Sequence, residues 1–230
     1  AGGSMSFFFC IGLRAEPPLD KYCGDSMRAQ EHKQSRIAGI VLAAGQSSRM
    51  GRVKQLLPWQ GTTLLGSVLA RTRRSRLNEL VLVLGCASEA IRQKVDLKGT
   101  RVVDNPDYAQ GQSTSLQAGL AALSEDVQAA VFLLGDQPLV TTAIIDQIID
   151  AYTRTKAPLV IPIHAGRRGN PVLIDRGLFP ELMAVKGDTG ARVLFERYAD
   201  SMYKVPVADN GICRDIDTWE DYQRLLGEES

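Results

Sequence analysis

The chain has 230 residues, of which 44% are hydrophobic and 23% charged, with four cysteines, two histidines and a net charge of +1. That length suits one large domain with a sizeable core, and the balanced charge gives no general attraction to nucleic acid or to an anionic membrane. Cys10, Cys23, Cys86 and Cys213 show no C-x-x-C spacing, which argues against a structural zinc site.

Ala1 to Ser4 reads as a cloning scar ahead of Met5. Phe7 to Ile11 is apolar but far too short for a membrane span, and residues 14–36 are polar and charged with Pro17-Pro18. Residues 1–36 are therefore expected to be a poorly ordered extension, and 37–230 a single domain. Cys86 and Cys213 adjoin apolar runs and are expected as core thiols in a reducing cytoplasm.

The first element is the apolar run Ile37 to Leu42, a buried strand. It breaks into the small-residue loop Ala43-Ala44-Gly45-Gln46-Ser47-Ser48, followed by Arg49, Arg52 and Lys54, a pattern suited to holding phosphate. Thr62 to Arg74 reads as a helix with a solvated basic end, and Val81 to Leu84 as a short strand. Ser88 is expected to cap a helix to Val95, and Thr100 to Val103 is a strand. Ser113 to Leu123 is helical after the turn Ala109 to Gln112, with one of Ser113, Thr114 and Ser115 as its cap. Ala129 to Leu134 is apolar throughout, as a doubly covered parallel strand is, and Thr141 caps the next helix to about Arg154.

The alternation is that of a three-layer α/β/α domain with a mostly parallel sheet. Ligands of such sheets bind beyond the carboxyl ends of the strands, where the loops after Leu42, Val103 and Leu134 lie. The second half differs. Leu159 to Ile163 and Pro171 to Ile174 flank a glycine-bounded loop and predict an antiparallel pair. Arg176 to Val185 is helical, as is the stretch from Arg192 to Tyr198. Met202 to Val207 and Ile212 to Ile216 read as strands, and Thr218 to Leu226 as a closing helix.

Asp136 follows the buried strand directly and stands where a metal or ribose contact belongs. Asp215 and Asp217 flank Ile216, which in a strand puts both on one face. Asp217 is either a helix N-cap or a second ligand beside Asp136, with Asp215 as the fallback. Magnesium takes one or two carboxylates plus phosphate oxygens and waters. His164 has no neighbouring acid or nucleophile and reads as an edge histidine. There is no G-x-S-x-G, no P-loop and no G-x-G-x-x-G.

Leu42-Ala43-Ala44-Gly45-Gln46-Ser47-Ser48-Arg49-Met50-Gly51 with Lys54 and Leu56-Leu57-Pro58 resembles the signature of nucleotidyltransferases of the nucleotide-diphospho-sugar transferase fold. Gly111 to Ser115, Gly135-Asp136-Gln137-Pro138, Arg168-Gly169-Asn170-Pro171, Gly187 to Arg192 and Asp215-Ile216-Asp217-Thr218 narrow the resemblance to the molybdenum cofactor cytidylyltransferase family. Two departures stand out: Trp219 replaces the family's usual proline, and residues 1–36 have no counterpart.

The resemblance implies transfer of CMP from CTP to the terminal phosphate of molybdenum-loaded molybdopterin, with pyrophosphate leaving. It implies magnesium or manganese held by Asp136 and Asp217. Leu42, Ala43, Ala44, Gly45, Gly111 and Ser115 lie about the nucleotide, and Arg49 and Lys54 on its triphosphate. Arg168, Asn170, Lys186, Asp188 and Arg192 are expected at the acceptor, and a recipient molybdoenzyme or its chaperone is a possible further partner. Related guanylyltransferases carry glycine where this chain has Ala44, so its methyl group would narrow the base pocket against a purine.

Overall fold

The computed structural model describes residues 35–45 and 50–228. The expected extension at 1–34, with Cys10, Cys23 and His32, lies outside them, as does the stretch 46–49 that contains Arg49. Ser35–Ser230 form one compact unit. Arg36 is already tied to it by ion pairs to Glu79 and Asp126.

The elements in order are β1 (Ile37–Ala43), β2 (Pro58–Trp59), β3 (Thr62–Thr63), α1 (Leu64–Arg73), β4 (Glu79–Leu84), α2 (Ser88–Lys94), β5 (Arg101–Asp104) and α3 (Gln112–Ala121). They continue with β6 (Ala129–Leu134), α4 (Thr142–Thr155), β7 (Leu159–His164), β8 (Arg167–Arg168), β9 (Val172–Asp175), α5 (Phe179–Ala184), α6 (Arg192–Arg197), β10 (Tyr203–Pro206) and α7 (Trp219–Gly227). The main sheet runs β10-β7-β9-β6-β1-β4-β5, with β8 paired to the end of β7. β1 lies parallel between β4 and β6, and β9 is inserted antiparallel to both β6 and β7. The expected antiparallel pair is therefore present.

The apolar strands are buried on both faces, and their side chains alternate between two cores. Val41, Leu82, Val131 and Leu133 join α1, α2 and α4 on one face. Ile40, Val81, Val83, Ala130 and Phe132 join α3, α5 and α6 on the other. A smaller third cluster joins Leu57, Trp59 and Leu64 to Ile216, Tyr222 and Leu225, which clamps α7 against the β2–β3 ribbon. Tyr222 adds a hydrogen bond from its hydroxyl to the Pro58 carbonyl at 2.7 Å.

Several local expectations are corrected. Ile212 to Ile216 is not a strand. Asn210–Cys213 form a 3-10 turn, with Asp209 accepting from the Gly211 amide. Ile212 packs into the first core and Ile216 into the third cluster, so the two serve different cores rather than one sheet face. Ser88 is not the cap: Ala87 takes the N-cap position and Ser88 is the first residue of the helix, its hydroxyl donating to the Asp104 carboxylate that also binds Arg92. Neither Ser113, Thr114 nor Ser115 caps α3, whose N-cap is Gly111. Cys86 is exposed at the turn after β4 and is not a core thiol, whereas Cys213 is half-buried and packs against the first core. Thr141, by contrast, does cap α4, accepting from the Ile144 amide.

Candidate active site

The carboxyl ends of β1 and β6 lie side by side, and both open into one cleft. Its first half, about 560 Å³, is lined by Leu42, Ala43, Ala44 and Gly45 after β1, by Lys54, Gly111 and Ser115, and by Asp136, Asp188 and Asp217. Its second half, about 430 Å³, is lined by Arg168, Gly169, Asn170, Phe195 and the walls of β6 and β9. Leu42, Gln112, Leu134, Arg192 and Asp215 line both halves and mark their junction.

Lys54, in a 3-10 turn before β2, donates to the Asp136 carboxylate and to Asp217 Oδ1, the latter at 3.0 Å. Burial pulls the Lys54 pKa down, but the Asp136 and then the Asp217 carboxylates outweigh it and leave it raised. The two aspartates come from segments far apart in sequence and are brought together from two sides. Asp136 sits on the turn after β6, which Arg71 of α1 pins through the Pro138 carbonyl. Asp217 precedes α7, whose N-cap is Thr218 in a capping box with Asp221. Thr218 thus takes the capping role and leaves the Asp217 side chain for Lys54. Asp136 Oδ1 is buried with no hydrogen-bond partner among the described residues. A buried carboxylate oxygen left so is costly unless something arrives to use it.

Asp215 is exposed to the cleft and accepts from the Gln137 amide. The protein around it and then the Asp136 charge push its carboxyl pKa up. Gln137 is itself buried. Gln55 is buried too, and donates to the Ala43 carbonyl at 3.3 Å, bracing the end of β1.

On the opposite wall, Gly111 has φ +115°, and a Cβ there would lie 2.6 Å from the Gly187 carbonyl carbon. Only glycine permits both that φ and that approach. The Gln112 amide then donates to Asp188 Oδ1 at 3.2 Å, so the segment at 187–192 lies across the start of α3. Ser115 is buried, and with Thr114 it accepts from Asn105 Nδ2, at 3.0 Å and 2.8 Å.

The expected acceptor residues divide. Arg168, Asn170 and Arg192 line the second half, with the Arg168 guanidinium over the Phe195 ring at 5.1 Å. Gly169 comes so close to Ile212 that a Cβ would meet its carbonyl oxygen at 2.4 Å. Asp188 lines the first half, and Lys186 lines a separate surface hollow beside α5 and α6. Sequence reasoning missed Gln55, Arg71, Gln137 and Tyr108, all of which line or brace the cleft. Only the position of Gln137 next to Asp136 was a usable signal. Arg71 belongs, with Arg73, Arg74 and Arg76, to the basic end of α1 that the sequence places in solvent. Of that group, Arg73 and Arg76 do take surface partners, in Asp96, Asp146 and Asp150. His164 binds the Val207 carbonyl at the sheet edge, outside the cleft.

A mostly parallel sheet whose central strands end in a small-residue loop and a carboxylate, joined by a lysine, is the frame of a Rossmann-like nucleotidyltransferase. The chain belongs to the MobA-like NTP transferase domain family, which it matches over residues 39–202. It is 32% identical to the nicotine blue oxidoreductase of Paenarthrobacter nicotinovorans, over 83% of this chain and 96% of that protein. It is 29% identical to the molybdenum cofactor cytidylyltransferase of Escherichia coli K12, over 82% and 94%. The crystal structure of Rv0371c from Mycobacterium tuberculosis H37Rv is similar with a TM-score of 0.77 at 36% identity, covering 84% of this chain and 99% of that one. A complex of the same protein with manganese has a TM-score of 0.73 at 36% identity, with the same shares covered. Among the described residues no helix is long and apolar enough to cross a membrane.

Proposed function

We propose that the chain transfers CMP from CTP to the terminal phosphate of molybdenum-loaded molybdopterin and releases pyrophosphate. The observation that carries this reading is the Lys54 ammonium shared by Asp136 and Asp217 in the first half of the cleft. One cation already bridges both carboxylates, and Asp136 keeps a second, unpartnered oxygen. That is an all-oxygen donor set suited to magnesium or manganese, completed by triphosphate oxygens and water. Among the described residues no group of three His, Cys, Asp or Glu is arranged to hold a metal by itself, which accords with an ion that needs the nucleotide to complete its shell. Asp136 and Asp217 would hold it, and when bound it would neutralise charge on the phosphates.

The acceptor phosphate is already a nucleophile. Its oxygen forms the new bond to the α-phosphorus of CTP as the bond to pyrophosphate breaks, and no general base is required. The protein's task is to place two anions in line and to offset charge on the leaving group. Lys54 would pair with the triphosphate, and Arg49, five residues earlier in the sequence, is assigned there with it. The amides at Ala44 and Gly45 approach the nucleotide, and Gly111 and Ser115 lie beside its base and ribose. Arg168 and Arg192 take the acceptor phosphate in the second half, with Asn170 beside its ring. Asp188, in the first half beside Gln112, faces the same cleft, and Lys186 lies in the separate hollow beside α5 and α6. A recipient molybdoenzyme would take the product.

The decisive test is pyrophosphate release with magnesium, molybdenum-loaded molybdopterin and a panel of nucleotides, beside a panel of sugar phosphates. CTP preference with the molybdopterin acceptor supports the reading, and incorporation only into a sugar phosphate removes it. Asp136→Ala is expected to lower turnover by about 10²-fold or more, as loss of a group that organises transition-state charge does. The identity to the nicotine blue oxidoreductase favours a second reading, in which the cleft holds nicotine blue. Turnover of nicotine blue with a supplied two-electron reductant, without CTP turnover, would establish that instead.

A further inference from the structure

A third carboxylate is poorly placed in a cleft that must bind two polyanions, since it repels both. Asp215 nevertheless lines both halves, is exposed to the cleft, and is held from behind by the buried Gln137 amide. The Lys54 ammonium bridges Asp136 and Asp217, and Asp215 stands beside that pair with Gln137 as its hydrogen-bond partner. An ionised carboxylate can only accept hydrogen bonds, so one so placed suits a ligand edge that presents donors.

The half-cleft beyond it supplies the matching shape. Phe132, Leu134, Leu116 and Phe195 make apolar walls suited to a flat ring, and Arg168 and Arg192 stand ready for a phosphate. We propose that Asp215, oriented by Gln137, recognises the adjacent N–H donors on the edge of the acceptor's heteroaromatic ring, a 2-amino-4-oxo-pyrimidine edge of pterin type. This rests on the proposed acceptor and deepens it, because it assigns ring recognition to the junction and leaves the phosphate to the arginines. Gln137 is a positioning residue. Its Nε2 donates to Asp215 Oδ1, which leaves Oδ2 as the oxygen offered to the ligand in this proposal.

Two experiments separate this inference from the function on which it rests. In steady-state assays with CTP and molybdenum-loaded molybdopterin, Asp215→Asn is expected to raise the acceptor KM about tenfold, the loss expected for one charge-assisted hydrogen bond, with the CTP KM and the manganese half-saturation unchanged. Gln137→Met should shift the acceptor KM in the same direction by less, since Asp215 keeps its charge but loses its orientation. Independently, fluorescence titration compares 6-hydroxymethylpterin with its 2-oxo lumazine counterpart. The wild type should prefer the amino form about tenfold and Asp215→Asn should lose that preference, because a site built for an N–H group rejects the analogue without it. If the wild type makes no product from CTP, the proposed function fails while the titration still decides the role of Asp215. A wild type without preference, an Asp215→Asn variant that keeps it, or a shift confined to manganese dependence overturns the inference.

Discussion

The Lys54 bridge is the most consequential contact at the scale of single residues. Lys54 and Asp136 are largely buried, with side-chain exposures of 13% and 14%, while Asp217 is half-buried at 35%. Removing one partner of such a pair leaves an uncompensated charge. Lys54→Ala is therefore expected to lower stability by about 3 kcal/mol, measured by urea unfolding without metal. The same variant should bind manganese more tightly in the absence of nucleotide, because the ammonium no longer competes for Asp136 and Asp217, and yet turn over more slowly. Isothermal titration beside a pyrophosphate assay separates the two effects, and unchanged manganese affinity would show that ammonium and metal do not share the carboxylates. The positions of Lys54 and Asp136 were legible because each directly follows a strand or its loop. The bond between them was not, since 82 residues separate them.

α7 shows how an element at the end of the chain completes a site that begins near residue 40. The third cluster and the Tyr222–Pro58 hydrogen bond hold it against the ribbon that follows Lys54. Its capping box leaves Asp217 turned toward the cleft. Thr218→Ala should cost about 1 kcal/mol of stability. The Asp221 carboxyl is held below its ordinary pKa first by the Thr218 side chain and then by the backbone amides of Thr218 and Asp217. A lowered carboxyl pKa stabilises the fold fully above the unfolded value of about 3.9, and that contribution is lost as pH falls through the folded value. The stability gap between wild type and Asp221→Asn should hold at neutral pH and close in acid, as followed by urea midpoints across the range. The sequence marked the start of this helix within a residue. It also made Asp217 its alternative cap, because adjacent Asp and Thr are both good caps and only packing chooses between them.

For the molecule as a whole, the sheet separates two cores that share strands but not faces. Ile145 of α4 lies in one and Leu116 of α3 in the other. Each truncation to alanine should cost about 2–5 kcal/mol, and the double variant should lose their sum within about 0.5 kcal/mol, as sites without shared partners do. Chemical denaturation of the two single variants and the double variant measures this, and strong coupling would mean that the sheet transmits strain between its faces. The layer architecture was readable because period and apolar runs are local properties of strands and helices. Ile212 to Ile216 was misread for the same reason. Its apolar spacing resembles a strand, but its two isoleucines serve separate cores.

By itself the sequence determined the alternating α/β order, the small-residue loop after β1, the carboxylate after β6 and the family signature, because each is written in consecutive residues. Tertiary structure alone decided that Lys54 joins Asp136 to Asp217, that Thr218 rather than Asp217 caps α7, and that Gln137 holds Asp215 where the two half-clefts adjoin. It also set Lys186 outside the cleft and brought Asp188 to the first half of it. Those outcomes depend on which of several chemically equivalent partners packing brings within about 3 Å, and hydrogen bonding at that distance is settled by the fold rather than by spacing along the chain.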